Sequence, residues 1–300
     1  MAISLALDTS HQFHNANPLP SDCETLASSL LPLDGGNIFV SQHGPHEAPA
    51  LVLIHGLGAS TRWWDALVPL LTRSHHVIRI DMLGHGKSAK PAGGLYGIPE
   101  QGSRVGAALD RLGVKSAIVV GHSTGGSVAT ALTELRRDQV KGLVLIDSCP
   151  NLDADSSDGR LSRLLPVPIV GHVLWRLLTG PMTRKALTTG FARGYEIPQQ
   201  FLDDARCMTY HAFTATSRAA VAYLEQRSLP DRLAVLGTPL LVMFGEEDVR
   251  CRPSSFAEYR AVPGARVESL NGVGHSPMVE DPSRTAALLQ VFAASVLGAE

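Results

Sequence analysis

The sequence predicts an α/β protein: a mostly parallel central sheet, helices on both of its faces, and a helical segment inserted late in the sheet. Three observations lead there. Short apolar runs rich in β-branched residues recur at 50–54, 76–80, 117–120, 142–146, 240–244 and 265–270, after a first strand-like run at 37–42. Bounded by Gly and Pro, such runs suit strands buried on both faces of a parallel sheet. Helix-like segments at 63–71, 100–112, 125–136, 254–261 and 283–297 alternate with them, the pattern of helix-covered parallel sheets. The alternation then breaks between 150 and 234, where helix-like pieces at 161–165, 173–178, 199–216 and 217–226 are punctuated by Pro166, Pro168, Pro181 and Pro198.

This division gives an N-terminal extension over 1–35, a core over 36–149 and 235–300, and a helical cap insertion over 150–234. The extension is rich in Ser, Asp, Asn, Pro and His without sustained periodicity, and is read as irregular with a short helix at 22–31. A chain of 300 residues, 44% hydrophobic, can bury roughly 75% of its unfolded surface without disulfides or metal. Its 26 basic and 28 acidic residues leave no basic footprint for nucleic acid. No Lys or Arg precedes Arg62, so a targeting segment is not expected, and every apolar run is too short to span a bilayer. The expectation is a cytoplasmic protein with no membrane association. Cys23, Cys149, Cys207 and Cys251 show no CxxC spacing and are read as buried or idle thiols rather than a disulfide framework.

Gly121-His122-Ser123-Thr124-Gly125 follows the run at 117–120 and opens the helix at 125–136. A strand turning sharply into a helix strains the backbone at the serine, and side chains at the flanking positions would collide, so glycines are needed there. The outcome is an exposed hydroxyl near the positive end of a helix dipole. A serine hydroxyl is a poor nucleophile until a positioned base takes its proton. Of 12 histidines, His275 lies in a Gly-rich loop directly after the last predicted strand. Asp248 follows the run at 240–244, which completes the chain order Ser…Asp…His. Glu246 and Glu247 are neighbours, and Asp147, at the end of the run at 142–146, is the rival acid.

Four blocks in this order, His55-Gly56-Leu57-Gly58, Asp81 through Ser88, the Ser123 pentapeptide and Gly274-His275-Ser276-Pro277, resemble the α/β-hydrolase superfamily over about residues 36–300. The wording is similar to its serine esterase and cofactor-free haloperoxidase-like branch. The resemblance implies the α/β-hydrolase fold with a helical cap inserted after the sixth strand. It also implies Ser123 as nucleophile, His275 as base, Asp248 as the acid that orients it, and an oxyanion hole from the backbone N–H groups of Leu57 and Thr124. Asp81 through Ser88 would be a structural turn, and His55 a structural hydrogen-bonding residue.

Competing signals fail. Gly86-Lys87-Ser88 cannot close a Walker A loop, because its first glycine would fall on Asp81. Gly56-Leu57-Gly58 lacks the third glycine of a dinucleotide fingerprint, since position 61 is Thr61. There is no HExxH or clustered Cys/His, so neither metal nor cofactor is expected. Trp63 and Trp64 read as core packing or as part of an acyl pocket, with Trp64 the pocket candidate. Arg160, Arg163, Arg176, Arg184, Lys185 and Arg193 read as a solvated face of the cap, or as a source of one carboxylate-recognising cation. The functional expectation is ester hydrolysis of a small to medium apolar substrate through an acyl-enzyme, by a monomer or homodimer. A lactonase, thioesterase, perhydrolase or carbon–carbon bond hydrolase would use the same triad. A serine at the bend argues against epoxide hydrolases and haloalkane dehalogenases, which attack with aspartate. The reading from another class is a non-catalytic ligand receptor on this fold.

Overall fold

The computed structural model describes residues 25–93, 95–156 and 168–298. Eight strands form one sheet: β1 (Thr25–Leu31), β2 (Ile38–His43), β3 (Ala50–Ile54), β4 (His76–Asp81), β5 (Ala117–His122), β6 (Val140–Ile146), β7 (Leu240–Gly245) and β8 (Arg266–Leu270). Their spatial order is β1-β2-β4-β3-β5-β6-β7-β8. All pairings are parallel except β1 with β2 and β2 with β4. This is the mostly parallel sheet that the apolar runs predict, arranged as the α/β-hydrolase fold that the motif resemblance implies.

Alternate strand residues feed two apolar cores. Val52, Ile54, Ile78, Ile80 and Val119 pack on one face with Val105, Leu109, Val128 and Leu132, which come from α2 (Ile98–Arg111) and α3 (Thr124–Leu135). Leu51, Leu53, Val77, Ile118 and Val120 pack on the other, with Leu67 and Leu71 around α1 (Val68–Leu71) and Leu289 and Phe292 of the C-terminal helix. With both faces covered, β4 and β5 are buried along their whole length; β5 accordingly reads as a continuous apolar run at its start, while in β4 the buried Arg79 is paired with Asp65.

Strand order reverses between β3 and β5: the chain leaves β3 towards β4 and returns to β5 on the other side. In open α/β sheets the crevice at the carboxyl ends of such strands is where ligands bind. The loop after β3 and the bend after β5 meet there, carrying Leu57 and Ser123.

The extension differs from its reading. Residues 25–31 are not helical; β1 adds an edge strand antiparallel to β2, with Ser28 and Ser41 hydroxyls 3.0 Å apart. Pairing along a ready sheet edge outweighs the weak local helix preference of TLASSLL. The insertion between β6 and β7 holds α4 (Pro168–Leu177), α5 (Gly180–Leu187), α6 (Gln199–Cys207), α7 (Tyr210–Gln226) and α8 (Leu229–Ala234). The helix-like piece at 161–165 lies outside the described residues. The long piece at 199–216 breaks at Met208, because Thr209 caps α7 by accepting the Ala212 N–H. Segment 254–261 forms a 3-10 turn (Pro253–Ala261), and 63–71 splits into a 3-10 turn (Thr61–Trp64) and α1. After β8 come α9 (Pro277–Glu280) and α10 (Pro282–Leu297).

The cysteine reading is corrected at one pair. Cys149 and Cys251 form a disulfide with Cα atoms 5.6 Å apart, while Cys207 is a free, exposed thiol. The two halves sit 102 residues apart and are juxtaposed by the pairing of β6 with β7, so no local spacing announces them. Among the described residues no helix is long and apolar enough to cross a membrane.

Candidate active site

Ser123 stands between β5 and α3 with φ 53° and ψ −123°. This left-handed backbone is costly for a residue with a side chain and is held by its surroundings. Ser123 N–H donates to the Ile146 carbonyl at 2.8 Å, and the Ser148 hydroxyl donates to the Ser123 carbonyl at 3.0 Å. The flanking glycines are explained by close approach. A Cβ on Gly121 would sit 2.4 Å from the Gly125 carbonyl oxygen, and one on Gly125 would sit 2.4 Å from the oxygens of both Ile54 and His55. The bend is thus wedged against β3.

His275 arrives on the loop between β8 and α9. The Ser123 hydroxyl donates to its Nε2 at 3.0 Å, and its Nδ1–H donates to Asp248 Oδ2 at 2.7 Å. Asp248 Oδ1 accepts the N–H groups of Arg250 (2.7 Å) and Cys251 (3.2 Å). Burial alone would raise the Asp248 carboxyl, but the His275 ring and these N–H donors hold it below its ordinary value. The rival acid, Asp147, is fully buried nearby, yet His275 Nδ1 is bonded to Asp248. Neither Glu246 nor Glu247 takes that place.

Two further residues, His122 and Glu280, hold His275 and its loop. His122 Nε2–H donates to the His275 carbonyl at 2.8 Å. Burial, then the neighbouring His275 ring, push the His122 imidazole well below the ordinary histidine range, so it is neutral. Glu280 accepts N–H groups from Ala192 (2.6 Å), Gly274 (3.1 Å) and Ser276 (3.0 Å), and so ties the base loop to the cap. Burial raises its carboxyl, opposed by those three donors. Glu280 lies beyond the Gly274-His275-Ser276-Pro277 block, and His122 gave no signal beyond its place in the pentapeptide.

The loop after β3 lies against Ser123, since a Cβ on Gly56 would meet the Ser123 Cβ at 3.1 Å. Leu57 follows Gly56 on this loop, and Thr124 opens α3. The Leu57 side chain packs on an apolar group of Leu83, Tyr96, Met208 and Ala212, joined by Trp175 and Phe213 from the cap. Through Leu57 this apolar group adjoins the loop that lies against Ser123. Trp64, the pocket candidate, is fully buried and packs in the apolar core around α1, not in this group. Trp63 instead stacks on His122, with ring centroids 6.1 Å apart, behind the site.

His55 Nδ1–H donates to the Gly56 carbonyl at 2.8 Å, and its Nε2 accepts the Met82 N–H at 3.1 Å. It therefore clips the loops after β3 and β4 together. Asp81 accepts the N–H groups of Thr61 (2.6 Å) and Lys87 (2.8 Å), closing the turn through Ser88. The Ser60 hydroxyl and the Arg62 guanidinium both bond Asp204 of α6, fastening the cap to the loop after β3. Arg184 is committed to the Ile197 carbonyl within the cap. One group among the described residues brings cation-binding atoms together, Asp147, Asp248 and His275, within 4.8 Å of one another. Both His275 nitrogens are already hydrogen-bonded to protein, so an ion there would displace the contacts just described.

A family model for the alpha/beta hydrolase family matches residues 51–288. The chain is 30% identical over 259 residues to an uncharacterized protein of Mycobacterium tuberculosis (strain H37Rv), covering 81% of this chain and 75% of that one. It is 29% identical to the pimeloyl-[acyl-carrier protein] methyl ester esterase of Neisseria meningitidis serogroup A, covering 84% and 79% of the two chains. Among solved structures it is similar to Est816, described as an N-acyl homoserine lactone degrading enzyme. That match has a TM-score of 0.70 at 26% identity, over 88% of this chain and 100% of the other.

Proposed function

The chain belongs to the alpha/beta hydrolase family, and from that premise we propose that it is a serine hydrolase cleaving carboxylic esters of a small to medium apolar substrate. The observation that carries this reading is the unbroken hydrogen-bonded chain from the Ser123 hydroxyl through His275 to Asp248, 3.0 Å and 2.7 Å in its two links.

In this reading Ser123 Oγ attacks the ester carbonyl while His275 Nε2 takes its proton. Asp248 holds the imidazole in the tautomer with Nδ1–H and stabilises the imidazolium that forms. The carbonyl oxygen becomes an oxyanion, held by the N–H groups of Leu57 and Thr124. Each such donor lowers the barrier by about 2.7–4 kcal/mol. The tetrahedral intermediate collapses, the alkoxide leaves with the proton from His275, and the acyl group stays on Ser123. Water, deprotonated by His275, then releases the acid and regenerates the serine. The apolar wall of Leu57, Met208, Tyr96 and Phe213 supports an apolar acyl or alkyl portion. A lactone is a cyclic ester that follows the same steps, and the likeness to Est816 supports including lactones in the substrate range.

A panel of p-nitrophenyl esters of increasing acyl length tests the proposal. Turnover that peaks at a short to medium chain is the expected result, with Ser123→Ala lowering it by roughly 10⁶. Turnover that survives Ser123→Ala would overturn the mechanism. Folded protein that binds esters without turning them over would place it among receptors.

A further inference from the structure

The reaction described above leaves one buried carboxyl beside the triad without a role. Asp147 follows β6 with a positive φ of 44° and is fully buried. Its N–H donates to the Met243 carbonyl at 2.9 Å, and its Oδ1 accepts the Gly245 N–H at 3.0 Å. Its Oδ2 is buried without a hydrogen-bond partner. A carboxyl oxygen of Asp147 lies within 4.8 Å of an Asp248 oxygen and of a His275 nitrogen.

Two carboxyls this close in a low-dielectric interior cannot both be ionised. Asp248 accepts three N–H groups, from His275, Arg250 and Cys251, whereas Asp147 accepts one. The negative charge therefore settles on Asp248 and the proton on Asp147, whose Oδ2 is the oxygen open to carry it. We propose, on the reading that Ser123, His275 and Asp248 form the catalytic chain, that Asp147 is a positioning residue: a neutral acid that donates its Oδ2–H to Asp248 and fixes that carboxylate behind His275.

Burial, then the Asp248 charge, raise the Asp147 carboxyl well above the ordinary range, in keeping with this assignment. The other ionisable groups bearing on the pair are Arg250 from the loop after β7, His122 at the end of β5, and Glu280 of α9. Arg250 favours the charge on Asp248, while Glu280 opposes a second charge on Asp147.

An ionised Asp147 would act differently. A second negative charge would stabilise protonated His275 and delay activation of Ser123 to higher pH. The test is the rate constant for covalent labelling by a small fluorophosphonate, which needs no knowledge of the natural substrate. It is measured across about pH 5 to 9 for wild type, Asp147→Ala, Asp147→Asn and Ser123→Ala. Loss of one hydrogen bond to a buried charge should slow Asp147→Ala by about 10- to 100-fold. Asp147→Asn should recover most of that loss, because its amide can donate to Asp248 and still accept from Gly245. Its acidic limb should keep the wild-type midpoint. Asp147→Ala labelling at the wild-type rate, or an Asn midpoint lower by about one pH unit or more, overturns the proposal. If Asp147→Ala fails to fold, the Asn profile alone decides. Wild type that labels no faster than Ser123→Ala would instead sink the catalytic chain itself, and the Asp147 proposal with it.

Discussion

Replacing Glu280 by Ala tests whether this carboxylate holds the loop that carries His275. The carboxylate accepts three backbone N–H groups at 2.6, 3.1 and 3.0 Å, two of them flanking His275 and the third in the cap. Orphaning a buried donor costs about 1–3 kcal/mol. Glu280 is half-buried, so water can reach some of the freed groups, and the expected loss is about 2–4 kcal/mol. With an unfolding entropy of about 2.1 cal/mol/K per residue, that lowers the Tm of a chain this size by about 3–6 °C. Because Gly274 and Ser276 bracket the base, turnover should fall more steeply than stability, by at least about tenfold. Differential scanning calorimetry and ester kinetics on the same preparation read both. An unchanged Tm and unchanged kcat would refute the idea that Glu280 staples the base loop to the cap.

Three further expectations follow from the same geometry. Asp248→Asn should lower kcat by about 10⁴, since the amide favours the wrong tautomer of His275; a loss below about tenfold would remove Asp248 from the acid role. His43 is held neutral, pushed down from 6.5 to about 4 by burial and then by Arg79, which donates to its Nε2 at 2.7 Å. Because the unfolded chain binds that proton first, stability is full above pH 6.5 and is lost as pH falls through the window down to about 4. The loss amounts to about 3 kcal/mol. Thermal melts of His43→Gln should show a shallower acid slope than wild type, and parallel slopes would contradict this. Cys149→Ser should lower the Tm in non-reducing buffer but not in the presence of reductant; equal shifts in both would mean that the cross-link adds no stability.

The parts of the fold legible in the sequence were those set by local pattern. Strands buried on both faces leave continuous apolar runs, and the strand-to-helix bend at Ser123 demands glycines that can be counted. The chain order of Ser123, Asp248 and His275 was legible as well. What it could not give depends on contacts distant along the chain. β1 forms because β2 offers a free edge, not because residues 25–31 alternate. The bonds from Ser60 and Arg62 to Asp204 span more than 140 residues and fix the cap on the core. Trp64 lies two residues beyond Arg62 on the same turn, and the turn's geometry, not its composition, sends it into the core. Asp147 could be read only as a competitor to Asp248. Their adjacency, which makes one charged and the other neutral, exists only once β6 and β7 pair.

Intact-protein mass spectrometry after fluorophosphonate treatment, followed by peptide mapping, addresses the central claim most directly. One adduct on Ser123, lost in Ser123→Ala and strongly slowed in His275→Ala, is the expected result. A folded protein that stays unlabelled, or one that carries the label on another residue, would contradict it.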